Sequence, residues 1–403
     1  MKKILAAALC LTMAVGCLAG CGDKNSAGSK DDAVLKIGVF EPTTGENGGG
    51  GKQEVLGIRY ANKVMPSVEV GGKTYKIELV EVDNQSDKTA AVTAAQKLVS
   101  SNVVAVCGTY GSGCAIAAGP TFANAKIPAV GCSCTNPQVT LGQEYYSRVC
   151  FLDPFQGQVM ASFAYETKGC KTAAVVTQNG DDYSAGLGGY FKSAYEKMGG
   201  KVVANKTYNT NEQDFNALLT DIKKQNPQVL FIPSSINTAS LIIKQARDLG
   251  ITAPIMAGDT WQNATIISTA GAKNCNEVYY STFFSATDSS VQDFVKGFKE
   301  YLNSDKQNLT DNGDTDEIAS VSALGYDTYM TIVEAIKSLD GEVTGEKVKD
   351  ALKTVNYKGV TGEIKFDENG DADKDVAYIE TFKDGKMQFV GYQAADGKFT
   401  AAK

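Results

Sequence analysis

Leu35-Lys36-Ile37-Gly38-Val39-Phe40 is an apolar run of strand length, and the pattern downstream of it decides the fold. Val55, Ile58, Asn62 and Met65 recur at spacings of three and four, the mark of a helix with Asn62 as its one polar exception. Ile77 to Asp83 then reads as a second strand, Val92, Ala95 and Val99 as a second helix stripe, and Val103 to Cys107 and Ile127 to Cys132 as two more strands. Strands alternating with helices predict a parallel sheet covered on both faces. After a break near Cys150 to Pro154 the rhythm restarts. Strands are expected at 172–177, 201–204, 229–232 and 254–257, with the stripes Leu187, Phe191, Ala194, Met198, then Phe215, Leu218, Leu219, Ile222, then Leu241, Ile242, Ala246, Leu249 between them. A third section from Val278 carries two more helix stripes, Val291 to Phe298 and Tyr329 to Ile336. The tail reads as short strands with turns at Glu368 to Asp371 and Lys383 to Gly385. The fold class is α/β: two doubly wound parallel-sheet lobes joined by a hinge that the chain crosses several times. The expected division is 35–152 with 284–361 as lobe one, and 153–283 with 362–403 as lobe two.

The length of 403 residues suits two cores, and 43% apolar with 21% charged residues is a globular composition. Residues 1–20 read differently: Lys2 and Lys3, an apolar run from Ile4 to Leu18, then small residues before Cys21, the pattern of a secretory signal. Leu18-Ala19-Gly20-Cys21 resembles the lipobox of bacterial lipoproteins, which implies lipidation of Cys21. Gly22 to Asp32 is small, polar and charged, as a tether in 21–34 would be. The expected location is the extracytoplasmic face of the cell membrane, held by a lipid rather than by a spanning helix.

Composition excludes several functions. The formal net charge is −7, which disfavours binding to nucleic acid. There is no histidine, so a Ser-His-Asp or Cys-His catalytic pair and a histidine-ligated metal are ruled out. Gly48-Gly49-Gly50-Gly51-Lys52 fails as a phosphate loop because Glu46 and Gln53 stand where Gly and Ser or Thr are required. It reads as a glycine loop lining a cleft. Asp367 to Asp375 lacks the glycine and glutamate positions of a calcium loop, and Cys107, Cys114, Cys132 and Cys134 lack a metal-knuckle spacing. No cofactor, no metal and no enzymatic activity are expected. Cys107, Cys114, Cys132, Cys134, Cys150, Cys170 and Cys275 read mainly as packing residues.

In an open parallel sheet the ligand lies beyond the C-terminal strand ends, where helices begin. The residues there are Tyr110-Gly111-Ser112, Ser133 to Pro137, Tyr183, and Asp259 with Trp261. Ser112 and Thr135 suit a carboxylate and Asp259 an ammonium, so that the set could clamp a free amino acid with Tyr183 closing over it. Ordinary helix capping explains Ser and Thr at these places equally well.

The chain resembles the leucine/isoleucine/valine-binding proteins of ABC transporters. The resemblance rests on Leu35 to Val39 with Thr44-Gly45, Asp83 to Leu98, Gly131 to Pro137, Asp214-Phe215, Gln245 to Gly250, and Gly362 with Asp367 to Asp371. It implies a type I periplasmic-binding fold and capture of a small, aliphatic amino acid by a monomer that delivers it to permease subunits. It places carboxylate binding on Ser112, Ser133 and Thr135, the lobe-two tyrosine on Tyr183 and the ammonium-binding acid on Asp259. Gly50 and Ile236 stand where the family carries cleft aromatics, and the first lobe's small disulfide is missing. An amide, urea or an aromatic acid is the alternative ligand, and sensing the alternative to transport.

Overall fold

The computed structural model describes residues 33–394 and 396–402; the signal, Cys21 and most of the tether lie outside them. The first half of the chain gives β1 (Ala33–Glu41), α1 (Gly48–Val64), β2 (Ser67–Val70), β3 (Lys73–Asp83), α2 (Lys88–Ser100), β4 (Ala105–Cys107), α3 (Ser112–Asn124), β5 (Ala129–Gly131) and β6 (Tyr146–Arg148). The strands form one sheet in the order β2-β3-β1-β4-β5-β6, parallel except for the β2–β3 hairpin. The chain then passes through α4 (Asp153–Ser162), β7 (Thr172–Gln178), α5 (Asp182–Lys197), β8 (Lys201–Tyr208), α6 (Asn216–Lys224), β9 (Val229–Phe231), α7 (Ile236–Asp248), β10 (Ile255–Ala257), α8 (Ala264–Ala270) and β11 (Val278–Thr282). After β11 come α9 (Gln292–Asn303), α10 (Lys306–Asp311), α11 (Ser320–Lys337), α12 (Gly345–Leu352), a hairpin of β12 (Tyr357–Gly359) and β13 (Gly362–Ile364), then β14 (Val376–Lys383), β15 (Lys386–Ala394) and β16 (Phe399–Ala401). The second sheet runs β16-β15-β14-β11-β10-β9-β7-β8. Its β7 to β11 are parallel, and β14 to β16 add an antiparallel flank on β11.

The expected rhythm of strands and helices is present in both halves, with small offsets in register. In α2 the buried stripe is Ala91, Ala94, Ala95 and Leu98, while Val92 and Val99 are half-buried. The β-branched residues flank the contact and the alanines let the helix approach the sheet.

After β11 the chain returns to the first sheet. Phe294, Phe298 and Leu302 of α9 pack with Leu56 of α1, and α11 lies close along α1. A methyl group on Gly57 would overlap the Ser322 carbonyl, and one on Gly325 the Glu54 carbonyl, so glycine is what lets these two helices touch backbone to backbone. Asp327 of α11 accepts from Val360 N–H at 2.9 Å and Thr361 N–H at 2.8 Å, tying the β12–β13 hairpin to the same side. Phe366 to Ala372 runs beside β6, where Asp371 bridges to Arg148. The last passage to the second sheet therefore comes after Ala372, beyond the boundary at residue 361 expected from sequence.

All seven cysteines in the described residues are unpaired and buried, matching their reading as packing residues.

Candidate functional site

Helix starts and strand ends from both sheets meet around a narrow polar cavity. The first lobe contributes Glu46, Asn47, Tyr110, Gly111, Ser112 and Ser133, and the second Gln178, Asp181, Tyr183, Ser235 and Thr260. Local chemistry explains the positions. Asn47, Gly111, Asp181 and Ser235 are the N-cap residues of α1, α3, α5 and α7. A cap sits where a strand has just ended and the first N–H groups of a helix lack intrahelical partners. The start of α3 thus offers backbone donors and the Ser112 hydroxyl to one end of the cavity, with the positive end of the helix dipole behind them.

At the other end lies a polar cluster. Asp259 Oδ1 accepts from Gln156 Nε2 at 2.8 Å and from the Tyr183 hydroxyl at 3.1 Å. Tyr183 also meets Thr260 Oγ1 at 3.3 Å. Burial pushes the Asp259 carboxyl up to about 6, against the hydrogen bonds from Gln156 and Tyr183, which lower it. Burial likewise pushes Asp181 up to about 6. Asp259 lies just behind the wall formed by Tyr183 and Thr260.

Of the residues singled out in the sequence, Ser112, Ser133, Tyr110, Gly111 and Tyr183 line the cavity. Three expected residues, Thr135, Asp259 and Trp261, do not. Trp261 is fully buried, packs in the hydrophobic core of the second lobe and donates from Nε1 to Ser234 Oγ at 3.1 Å. Asp259 to Trp261 is a 3-10 turn, in which successive side chains diverge by a third of a turn. Asp259 and Trp261 therefore leave the cavity wall to Thr260. The Thr135 hydroxyl is buried without a hydrogen-bond partner, and its backbone carbonyl accepts from Asp153 N–H at 3.0 Å.

Several residues were not foreseen. Asn47, Asp181 and Ser235 carried a signal, since each is a polar residue just before a helical stripe. Glu54 carried a subtler one: it shares the buried face of α1 with Ile58 and Ala61, at spacings of four and three. Behind Ser133, Glu54 Oε1 and the Ser133 hydroxyl are hydrogen-bonded, and Glu41 lies next to them. Glu41 Oε2 accepts from the Tyr110 N–H at 2.8 Å. Both carboxyls are wholly buried.

Bonds between the lobes rim the cavity. Lys88 pairs with Asp182 at 2.7 Å, Asn136 Nδ2 donates to the Asp182 carbonyl at 2.8 Å, and Gln178 Nε2 to Glu46 Oε2 at 3.0 Å. Two sheets, three passages of chain between them and a cavity where helix starts face one another make a two-lobed binding cleft, and residues 34–386 match the family described as periplasmic binding protein. The chain belongs to that family.

Among solved structures of this family, the leucine binding protein LivK of Thermotoga maritima is 34% identical, with a TM-score of 0.82 covering 91% of this chain and all of the other. LivJ of Streptococcus pneumoniae, solved in complex with isoleucine, is 28% identical, with a TM-score of 0.79 over 90% of this chain and 99% of its own. The leucine-, isoleucine-, valine-, threonine- and alanine-binding protein of Pseudomonas aeruginosa is 28% identical over 342 residues, 84% of this chain and 87% of that protein. The resemblance read in the sequence holds, and this periplasmic binding protein has the parallel-sheet lobes that such relatives have. No helix among the described residues is long and apolar enough to cross a membrane.

Proposed function

We propose that the protein is the substrate-binding receptor of an ABC importer that captures a free aliphatic amino acid between its lobes and does no chemistry on it. The observation that carries this is the polarity of the cavity. One end offers hydroxyl and N–H donors from Ser112, Ser133 and the start of α3; the other has Asp181 and Tyr183, with the Asp259 carboxylate directly behind Tyr183. A zwitterion has that charge order, and the leucine binding of LivK and the isoleucine complex of LivJ support it. In this reading the ammonium meets Asp259 when Tyr183 swings aside, and Thr135, with its hydroxyl off the cavity, positions the loop. Lobe one comprises the first sheet with α9 to α12 and the segment up to Ala372, and lobe two the remainder. Export and a lipid on Cys21 complete the proposal: the tether holds the receptor beside its permease.

The test is a thermal-shift screen of a soluble form beginning after Cys21 against amino acids, amides, urea and aromatic acids. Ligand at a hundred times its dissociation constant adds about 2.7 kcal/mol to stability. A shift confined to aliphatic amino acids supports the proposal. Shifts from amides, urea or aromatic acids alone overturn it.

A further inference from the structure

Two carboxyls with no basic side chain beside them among the described residues lie directly beneath the cavity floor. Oxygens of Glu41 and Glu54 and the Cys132 sulfur all fall within 4.8 Å of one another. The titratable groups that face the pair are Cys107 and Tyr110 from the β4–α3 segment, Cys114 of α3, Cys132 and Cys134 after β5, and Tyr146 of β6. None is basic. Arg148, which faces Cys134, is committed to Asp371 at 2.6 Å. Across the cavity, Asp181 and Asp259 face Tyr110 and add negative charge. Two carboxylates this close in a buried site cannot both ionise, so the pair retains a proton.

The hydrogen bonds say where it sits. Glu41 accepts from Tyr110 N–H at 2.8 Å, from the Thr109 hydroxyl at 3.3 Å and from the Cys132 thiol at 3.5 Å. Thr109 is free to donate because its own oxygen already accepts from Asn84 Nδ2 at 2.8 Å. A carboxyl with three donors around it is the ionised member. Glu54 meets Ser133 through Oε1 and has the Glu41 carboxyl as its other neighbour, and no donor reaches its buried Oε2. Burial raises both groups, Glu41 to about 7 and Glu54 well above the usual carboxyl range.

We propose that Glu54, as a protonated carboxyl beside ionised Glu41, is a positioning residue for ligand capture: it donates to Ser133 Oγ and so turns the Ser133 hydrogen into the cavity, toward the ligand carboxylate. This rests on the amino-acid reading above. Ser133 has a single hydrogen. If Glu54 were ionised, that hydrogen would be taken by Oε1, and the cavity would face a lone pair backed by negative charge. With the proton on Glu54 the bond reverses and Ser133 becomes a donor.

Infrared spectroscopy and calorimetry with L-leucine test this. At pH 7 the wild-type spectrum minus that of Glu54→Gln shows the carbonyl stretch of a buried carboxylic acid, and Ser133→Ala shifts that band. Glu54→Ala weakens L-leucine binding ~10- to 100-fold, the loss of a hydrogen bond to a charged group. Glu54→Gln, with an N–H in place of the acid, largely restores it, and Glu54→Ala adds less than about twofold in a Ser133→Ala background, as coupled residues do. Wild-type affinity falls about tenfold per pH unit across the range in which the acid band disappears. The proposal is overturned by a missing band, a band indifferent to Ser133→Ala, multiplicative effects of the two alanines, or a stoichiometric metal ion lost in Glu54→Gln. If L-leucine fails to bind while the band behaves as described, the amino-acid reading fails and the proton assignment stands. Should Glu54→Ala not fold by circular dichroism, Glu54→Gln and Ser133→Ala decide the matter.

Discussion

Tyr110 owes its place at this cleft to a glycine: a methyl group on Gly50 would overlap the Tyr110 ring. The aromatic surface is supplied from the β4–α3 segment, and the glycine is what admits it. Asp259 carries the clearest prediction at this scale. Its folded carboxyl titrates at about 6 because it is buried, and only its ionised form attracts an ammonium. As pH falls through about 6 the group takes up a proton, so amino-acid affinity should drop about tenfold per unit below that value. Calorimetry between pH 4.5 and 7 should show this limb in the wild type, with Asp259→Asn binding weakly and without it. An unchanged limb in Asp259→Asn would assign it to another group.

The loop after β5 is an element without regular structure, and Arg148 is what shapes it. Its guanidinium is wholly buried and donates to the carbonyls of Cys134 at 2.7 Å and Asn136 at 2.6 Å, to Thr140 Oγ1 at 2.7 Å, and to Asp371 at 2.6 Å. Four bonds from one planar fork fix the segment that presents Ser133. Arg148→Met should cost about 3–5 kcal/mol, because it leaves Asp371 buried without its partner and two carbonyls without a donor. Denaturant unfolding measures this. A loss below about 1 kcal/mol would mean that water replaces the guanidinium there.

At the scale of the whole molecule the rim bonds govern closure. The Lys88–Asp182 pair is half-exposed and weak, yet it forms only between lobes brought together. Lys88→Ala and Gln178→Ala should each speed ligand dissociation a few-fold and leave association nearly unchanged, since contacts made after encounter act on departure. Stopped-flow kinetics distinguishes this from a rim residue that steers the ligand in, which would change association instead.

What the sequence by itself determined was local and periodic. Strand-length apolar runs and three-and-four spacing dictated the α/β alternation in both halves, and polar residues after strand ends brought out Ser112 and Tyr183, because hydrogen bonding at a helix end is settled within a few residues. What tertiary structure decided depends on contacts remote in the chain. The passage after Ala372 depends on Asp371 meeting Arg148, over two hundred residues apart. Trp261 turns into the core because a 3-10 turn separates it from Asp259. Glu41 and Glu54 each look like an ordinary charge in the sequence; only packing β1, α1 and the loop after β5 together buries them as a pair. Burial without a basic neighbour is what turns two common carboxylates into a proton store beneath the cavity.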